Sequence, residues 1–362
     1  MQSERRIFMH EVKRKIVKIG DIEIGQSAPI AVQSMTNTDT HDFQACYEQI
    51  VELENNGCDI VRLAVPDMAA VETIRRLKSS DIKLPIVADI HFDYRIAIAC
   101  CEAGVDKIRI NPGNIGSKER VREVVSACSE RKIPIRIGVN SGSLEKEILS
   151  KYGAPTAQAL AESALGHVRI LEDLNYDEIV ISIKSSDVRT MIEANRILYK
   201  STVYPLHIGV TEAGSQHIGT IKSAIGIGSL LADGIGDTIR VSLTANPVLE
   251  VIEGRALLQA LDLDAKNLIS VVSCPTCGRT KINLIELVSD FETNYLPKLH
   301  PKRKIKVALM GCVVNGPGEA READIGITGG NGEALIFKKG EIIAKVSEAR
   351  ALDALCEEIN RM

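Results

Sequence analysis

The stretch Pro85–Asn111, PIVADIHFDYRIAIACCEAGVDKIRIN, contains two short strands on either side of one helix. Pro85–Ile90 and Lys107–Asn111 are rich in β-branched residues, whereas Tyr94–Ala103 is amphipathic and favours a helix. Strands that alternate with helices pair in parallel through crossover connections. The stretch therefore predicts one repeating unit of an α/β fold.

The same alternation extends from the first predicted strand to Leu243. Further strands are predicted at Ile30–Met35, Ile60–Val65, Pro134–Val139, Glu178–Ile183, Pro205–Val210 and Thr238–Leu243. Further helices are predicted at Phe43–Asn56, Met68–Leu77, Lys118–Arg131, Thr156–Leu174 and Asp187–Leu198. Eight such strands over roughly 250 residues match a (β/α)₈ barrel of the TIM type. An open doubly wound sheet competes, but no Gly-x-Gly-x-x-Gly follows the first strand, which favours the barrel.

After Leu261 the pattern changes to that of a smaller α+β domain. Strands are predicted at Asn267–Ser273, Lys304–Met310, Asp324–Thr328 and Ala334–Lys338, the last two as a hairpin. Helices are predicted at Lys281–Leu296 and Glu348–Arg361, with Ser347 as the N-cap of the second. We expect two domains, a substrate-binding barrel over residues 1–264 and a cofactor-binding domain over 265–362.

Composition excludes several classes of function. The 362 residues carry a net charge of -4 and only 3% aromatic side chains, which argues against nucleic acid as a partner. No apolar run approaches the length of a membrane span, and the basic start of the chain lacks the apolar segment of a secretory signal. These features predict a cytoplasmic protein without a membrane partner.

Five cations are expected on the inner face of the barrel. Arg62, Arg109, Arg136 and Arg240 each lie between aliphatic residues, which suit the outer face of a strand, and Lys184 ends the sixth strand. Isolated buried charges are costly, so these side chains either pair with internal acids, of which Asp89 is the clearest, or bind an anion near the C-terminal rim. Because the five cations lie on different strands, the pattern favours a bound anion over internal ion pairs.

Polar residues at the strand ends add candidate chemistry. The small residues of Asn111–Asn114 and Gly138–Ser143 let backbone N–H groups approach an oxyanion. Asp89, His91 and Asp93 could bind a divalent metal, hydrogen-bond substrate hydroxyls or form a turn. His207 lies on the seventh strand, and Glu212 after it could donate a proton or cap the next helix.

Three cysteines on two turns predict a metal centre. Cys274-Pro-Thr-Cys277-Gly follows one strand, and Cys312 follows another, with Glu319 seven positions further along. The first turn also resembles a zinc knuckle, but Cys312 has no nearby Cys or His to complete a zinc site. A thioredoxin-like pair would leave Cys312 unexplained. Three thiolates with one open or oxygen-ligated corner suit a [4Fe–4S] cluster.

Together these residues resemble the 4-hydroxy-3-methylbut-2-enyl diphosphate synthase family of the non-mevalonate isoprenoid pathway. The resemblance runs over nearly the whole chain. Its most specific markers are Cys274–Thr280 (CPTCGRT) and Met310–Glu319 (MGCVVNGPGE). Further markers are Ala88–Asp93, Ile110–Asn114 and Gly209–Gly214.

The resemblance implies a bacterial two-domain oxidoreductase. Cys274, Cys277, Cys312 and Glu319 would ligate a [4Fe–4S] cluster, and Glu212 would be a proton donor. The substrate would be 2-C-methyl-D-erythritol 2,4-cyclodiphosphate, opened and dehydrated with two electrons to the allylic diphosphate. Residues of the substrate site would be Arg62, Asp89, His91, Arg109, Asn111, Arg136, Asn140, Lys184, His207 and Arg240.

The resemblance also implies partners. The family is a homodimer in which the cluster domain of one subunit covers the barrel mouth of the other, and its electron donor is flavodoxin or ferredoxin. The basic run Lys302–Lys306 could dock such an acidic donor, or it could be a solvated loop.

Two other functions remain open at the level of sequence. One is a zinc-stabilised barrel lyase or transferase that acts on a phosphorylated metabolite without a redox step. The other is a non-catalytic cluster carrier whose barrel senses a diphosphate. Metal analysis distinguishes the zinc-stabilised lyase or transferase from the reductive enzyme. Substrate-dependent consumption of reductant distinguishes the carrier from the reductive enzyme.

Overall fold

The computed structural model describes residues 13–111, 115–313, 320–330 and 332–362. The chain divides after Leu263 into two compact units. Among the described residues, no helix has both the length and the apolar character that a bilayer crossing requires.

The first unit is a closed barrel of eight parallel strands. A hairpin of two short strands comes first, β1 (Val17–Ile19) and β2 (Ile22–Ile24). The barrel strands are β3 (Ala31–Met35), β4 (Ile60–Ala64), β5 (Ile86–Asp89), β6 (Lys107–Ile110), β7 (Ile135–Asn140), β8 (Ile179–Lys184), β9 (His207–Ile208) and β10 (Thr238–Ile239). They are ordered β8-β7-β6-β5-β4-β3-β10-β9, and a bridge between Ile181 and Leu206 closes the circle. The predicted barrel is confirmed, and the open sheet is excluded.

Helices cover the outside of this barrel. They are α1 (Phe43–Asn55), α2 (Ala70–Lys78), α3 (Tyr94–Glu102), α4 (Lys118–Arg131), α5 (Lys146–Tyr152), α6 (Ala157–Glu172), α7 (Val188–Ser201), α8 (Gln216–Ala232) and α9 (Pro247–Ala260). The sequence did not predict α5, α8 or α9. Helix α8 was not predicted because its glycines lower the helix propensity of the segment. A Cβ on Gly226 would lie 2.6 Å from Met191 Cε, so close packing against α7 requires this glycine.

Two apolar layers hold the barrel together. The outer layer packs strand residues such as Val61 and Ile108 against the helices. The inner layer, at the N-terminal end of the strands, consists of Ala31, Ile60, Val87 and Val180 packed against the β1–β2 hairpin. The hairpin therefore closes the lower end of the barrel, and the polar interior lies above it.

The second unit is a five-stranded mixed sheet with helices. Its elements are β11 (Ile269–Ser273), α10 (Leu284–Asp290), β12 (Ile305–Met310), β13 (Ile325–Gly329), β14 (Ala334–Lys338), β15 (Glu341–Val346) and α11 (Ala351–Asn360). Strands β11, β12 and β13 pair in parallel, and β13, β14 and β15 pair antiparallel. The smaller domain is confirmed, with β15 as an unpredicted edge strand. Ser347 occupies the predicted N-cap position, before the short 3₁₀ turn Glu348–Arg350 that leads into α11, but its side chain makes no capping hydrogen bond.

Candidate active site

Strand alternation turns the cations of the barrel strands toward its axis. Their aliphatic neighbours, such as Ile135 and Ile137 on either side of Arg136, belong to the outer core. Arg109, Arg136 and Lys184 are buried, with Arg136 only 1% exposed. Arg109 and Arg136 are direct ladder partners on β6 and β7. The interior is therefore strongly cationic toward the C-terminal ends of the strands.

Three of the five predicted cations have an acidic partner. Arg109 Nη1 donates to Asp89 Oδ1 at 2.9 Å, and Arg62 Nε lies 3.5 Å from Asp89 Oδ2. Arg240 Nη2 donates to Glu250 Oε1 at 3.2 Å. The alternative of internal ion pairs therefore holds for these three arginines.

Arg136 and Lys184 differ from the other three. Neither forms an ion pair with any carboxylate in the described parts of the chain. Burial, together with the neighbouring arginines, lowers the pKa of Lys184 well below its ordinary value, and burial does the same to Arg136. Burial alone would raise the pKa of Asp89, but the surrounding arginines outweigh it and lower that pKa. The interior thus has an excess of positive charge that an anion would neutralise.

Two glycines make room for the cationic side chains. A Cβ on Gly138 would lie 2.7 Å from Arg109 Nε. A Cβ on Gly209 would lie 3.1 Å from Lys184 Nζ and 2.5 Å from the carbonyl oxygen of Arg240. Both glycines are on the inner face, so larger residues there would displace Arg109, Lys184 or the backbone of Arg240.

The other predicted substrate residues lie around the same interior. Asn111 is buried just after β6, and Asn140 is the ladder partner of Lys184 at the end of β7. His91 is exposed, with Nε2 3.8 Å from Asp89 Oδ2. His207 is fully buried, and its Nδ1 lies 2.7 Å from Thr238 Oγ1. Burial and then the adjacent cations lower the pKa of His207, so its ring is neutral near pH 7.

The structure argues against a metal site at Asp89, His91 and Asp93. Asp93 caps α3 and pairs with Arg95 Nη2 at 2.7 Å, while Asp89 binds arginines. No three His, Cys, Asp or Glu side chains are grouped as metal ligands among the residues that the structure covers, and this applies to Cys274, Cys277 and Cys312 as well. The divalent-metal alternative for these three residues is therefore wrong.

Glu212 lies in the loop between β9 and α8. Ser215 occupies the N-cap position of α8, so the helix-cap alternative for Glu212 is wrong. The Glu212 side chain is exposed, and its backbone has φ 52°, a left-handed conformation that costs a non-glycine residue about 1–2 kcal/mol. Such strain is typical of functional sites.

The turns that carry the cysteines contact each other in the second unit. The backbone N–H of Gly311 donates to Cys274 Sγ at 3.3 Å, and the N–H of Lys281 donates to the Gly311 carbonyl at 2.8 Å. A Cβ on Gly311 would lie 2.9 Å from Thr280 Cγ2, so the approach depends on this glycine. Cys312, buried and next to Gly311, is therefore held beside the Cys274 turn.

The chemistry of these thiols fits a metal–thiolate centre. Cys277 is exposed, and hydrogen bonds from the backbone and then the side chain of Arg279 lower its thiol pKa. Thiolates are the form that ligates iron or zinc. The predicted fourth ligand, Glu319, lies outside the described residues, as do Pro112–Asn114 of the predicted oxyanion loop.

Sequence reasoning missed several interior residues. Lys107, two positions before Arg109, faces the same interior and is fully buried, and the period-two pattern could have identified it. Gln33 is also buried there. Glu250 reaches Arg240 from α9, a contact between distant parts of the fold that no local pattern indicates.

Comparison with known proteins finds a matching domain of one family for each of the two units. Residues 14–255 match the GcpE TIM-barrel domain, and residues 270–361 match the GcpE protein C-terminal domain. A relative from Clostridium acetobutylicum, named 4-hydroxy-3-methylbut-2-en-1-yl diphosphate synthase (flavodoxin), is 57% identical over 98% of this chain and 100% of its own. A relative of the same name from Caldanaerobacter subterraneus subsp. tengcongensis is 58% identical over 98% of this chain and 99% of its own.

A solved structure of dihydropteroate synthase from Yersinia pestis, in a sulfonamide drug complex, covers 68% of this chain and 99% of its own with a TM-score of 0.50. Its sequence identity is 10%, so the likeness concerns the barrel fold alone. The two matched domains and the relatives that are more than half identical along nearly the whole length confirm the predicted resemblance: this chain belongs to the GcpE family of enzymes.

Proposed function

We propose that this enzyme converts 2-C-methyl-D-erythritol 2,4-cyclodiphosphate into 4-hydroxy-3-methylbut-2-enyl diphosphate, in the supply of isoprenoid precursors. Two electrons and two protons enter, the carbon–oxygen bond that closes the ring breaks, and one water leaves as the double bond forms. The product name of the relatives supports the reaction. The observation that carries the proposal is the cationic interior of the barrel, in which Arg136 and Lys184 have no carboxylate partner among the described residues.

The barrel would bind the cyclic diphosphate through this charge. Arg136 and Lys184 would neutralise phosphate oxygens, while Arg62, Arg109 and Arg240 are already oriented by Asp89 and Glu250. The further substrate contacts would come from His91, Asn111, Asn140 and His207. Because the arginines are fixed before binding, little side-chain entropy is lost when the anion arrives.

Glu212 would move the proton that accompanies loss of water. Its exposed carboxyl, on a strained loop at the C-terminal end of β9, can reach solvent between turnovers. In the bound complex its carboxylic acid form would give a proton to the departing hydroxyl oxygen, which then leaves as water. Glu212→Gln keeps the shape of the side chain and should lower kcat far more than it changes substrate affinity.

Cys274, Cys277 and Cys312 would hold a [4Fe–4S] cluster, with Glu319 as the exchangeable oxygen ligand. Such a cluster supplies electrons singly from a donor protein to the substrate. The lowered pKa of Cys277 favours its thiolate over its thiol, and Gly311 N–H donates a hydrogen bond to Cys274 Sγ. The contact between the two cysteine-bearing turns supports Cys274 and Cys312 as ligands of one centre.

The electron donor would be flavodoxin or ferredoxin. Flavodoxin appears in parentheses in the names of the relatives. In the basic segment before β12, Arg303 Nη1 is paired with Asp324 at 3.3 Å, which leaves Lys302 as an exposed cation for docking. A homodimer would complete the assembly. Light scattering of the purified protein tests this state, since a monomer at working concentration would contradict it.

Anaerobic turnover tests the reaction. The purified enzyme is mixed with reduced flavodoxin and the cyclic diphosphate, and both flavodoxin oxidation and product mass are followed. The proposal requires two electrons consumed for each allylic diphosphate formed. Conversion without electron consumption would establish a non-redox lyase, and binding without conversion would establish a carrier.

A further inference from the structure

Two layers of side chains deep in the barrel are polar, and the interior between them is here called the inner chamber. In TIM-type barrels, four alternate strands contribute the side chains of each interior layer. The strand register places Gln33, Arg136 and His207 in one layer with Val87. The same register places Lys107 and Thr238 in the layer beneath, toward the apolar floor that the β1–β2 hairpin closes.

The donors in these two layers are buried and unsatisfied. Lys107 Nζ, Arg136 Nε and Nη1, Gln33 Nε2 and His207 Nε2 have no hydrogen-bond partner in the part of the chain that the structure describes. Lys107 and His207 are fully buried, and Gln33 and Arg136 are each 1% exposed. Leaving a buried donor unsatisfied costs free energy, and a charged donor costs more than a neutral one. An occupant that accepts hydrogen bonds would remove this cost.

The charge balance of the chamber favours an anion over water. No carboxylate belongs to either layer. Burial, and then the charges of Arg136 and Arg62, lower the pKa of Lys107 well below its ordinary value, and a bound anion would favour its charged form. A water molecule needs acceptors for its own two hydrogens, and these layers offer few besides the Gln33 amide oxygen. A monatomic anion accepts from every donor without directional demands. His207 Nδ1 lies 2.7 Å from Thr238 Oγ1, and in the tautomer in which Thr238 donates, Nε2 carries the ring proton and can donate to the anion.

We propose that the barrel contains an inner site for a small inorganic anion of the halide class, bound by Lys107, Arg136, Gln33 and His207 beneath the substrate. Lys107 and Gln33 have no part in the proposed reaction, whereas Arg136 and His207 are shared with the proposed substrate site, so the inner site rests in part on that proposal. The anion would neutralise Lys107 and support the Arg136 guanidinium from below. Chloride, the commonest halide in solution, would be its ordinary occupant.

Bromide locates the site directly. Crystals of the full-length protein grown with sodium bromide should give an anomalous difference peak in contact with Lys107 Nζ, both with and without the cyclic diphosphate. Two results overturn the proposal: a chamber that contains only water, or a chamber filled by a phosphate group of the substrate.

Thermal unfolding gives an independent test in solution. At constant ionic strength, replacing sodium isethionate by sodium chloride should raise Tm by roughly 2 °C for each tenfold increase in chloride above its dissociation constant. Lys107→Met should abolish this dependence, whereas Lys18→Met, the same change at an exposed position in β1, should retain it. Equal chloride dependence in both variants would refute the inner site.

Discussion

Lys184 illustrates how a residue that we propose for substrate binding can oppose folding. It lies on the inner face of β8, 7% exposed, beside three arginines that all lower its pKa after burial. The Lys184 amine binds its proton more tightly in the unfolded chain than in the folded one. At a pH below the pKa of the folded state, burying the charged ammonium therefore costs free energy. The cost disappears as pH rises from the folded pKa toward the ordinary value of 10.5. Stability of the ligand-free protein should therefore increase with pH over that window.

The first prediction concerns Lys184→Met. Removing the uncompensated charge should raise the free energy of unfolding of the ligand-free protein by about 1 kcal/mol near pH 7. The same change should weaken binding of the cyclic diphosphate roughly 10–100-fold, since a hydrogen bond to a charged group is lost. Urea denaturation and calorimetric titration measure the two effects. A destabilised variant that binds normally would contradict this account of the barrel charge.

The second prediction concerns Glu250, which orients Arg240. Glu250 is buried and also accepts from Ser34 Oγ at 3.0 Å and from the backbone N–H of Leu243 at 3.0 Å. Glu250→Gln keeps the volume but loses the ion pair, so KM should rise about tenfold with a smaller change in kcat. Glu253→Gln, on the same helix, is the matched control and should behave as wild type. Equal KM in both variants would show that Arg240 needs no such support.

The third prediction concerns the thiol ligands. Cys277→Ser should lose most of its iron and sulfide, because an alcohol is a far weaker ligand than a thiolate, while the barrel still binds the cyclic diphosphate. Cys356→Ser, at a half-buried thiol on α11, should keep the metal content of wild type. Iron analysis after anaerobic purification decides the outcome. Full iron occupancy in Cys277→Ser would remove this cysteine from the proposed ligand set.

At the scale of elements, the β1–β2 hairpin closes the lower end of the barrel. Ile19 is fully buried against the floor residues of the barrel strands, whereas Ile16 just before the hairpin is 48% exposed. The fourth prediction is that Ile19→Ala lowers the free energy of unfolding by about 2–5 kcal/mol, and Ile16→Ala by less than about 0.5 kcal/mol. Urea denaturation measures both. Similar values for the two variants would mean that the hairpin does not seal the barrel.

Elements with a strong local pattern could be predicted from the sequence, and those fixed by distant contacts could not. Strands such as β4 and β6 combine β-branched residues with an arginine in alternation, which gives both the strand and its inner face. The helix α8 carries glycines that only its close packing explains, and β15 is an edge strand whose side chains are mostly exposed. The short strands of the hairpin are stabilised by the barrel floor rather than by propensity.

The same distinction applies to the site. Arg62, Arg109, Arg136, Lys184 and Arg240 could be identified because a cation between aliphatic residues is unusual in a strand. Their counter-charge Glu250 could not, since it comes from a helix that the sequence did not predict. Lys107 was missed although its spacing from Arg109 places both on one face.

At the scale of the whole molecule, the chain combines a barrel with a cationic interior and a separate thiol-bearing domain. The second unit has its own apolar core, in which Phe291, Val307 of β12 and Leu355 of α11 are all fully buried. A separate core lets the cysteine-bearing turns be positioned within that unit. The reductive function we propose requires a redox centre there, and this is the central claim.

Iron and inorganic sulfide content of anaerobically purified protein tests that claim most directly. We predict about four of each per chain, the composition of a [4Fe–4S] cluster, together with a brown absorption that bleaches on reduction. A colourless protein that contains zinc and still converts the cyclic diphosphate at full rate would contradict the account.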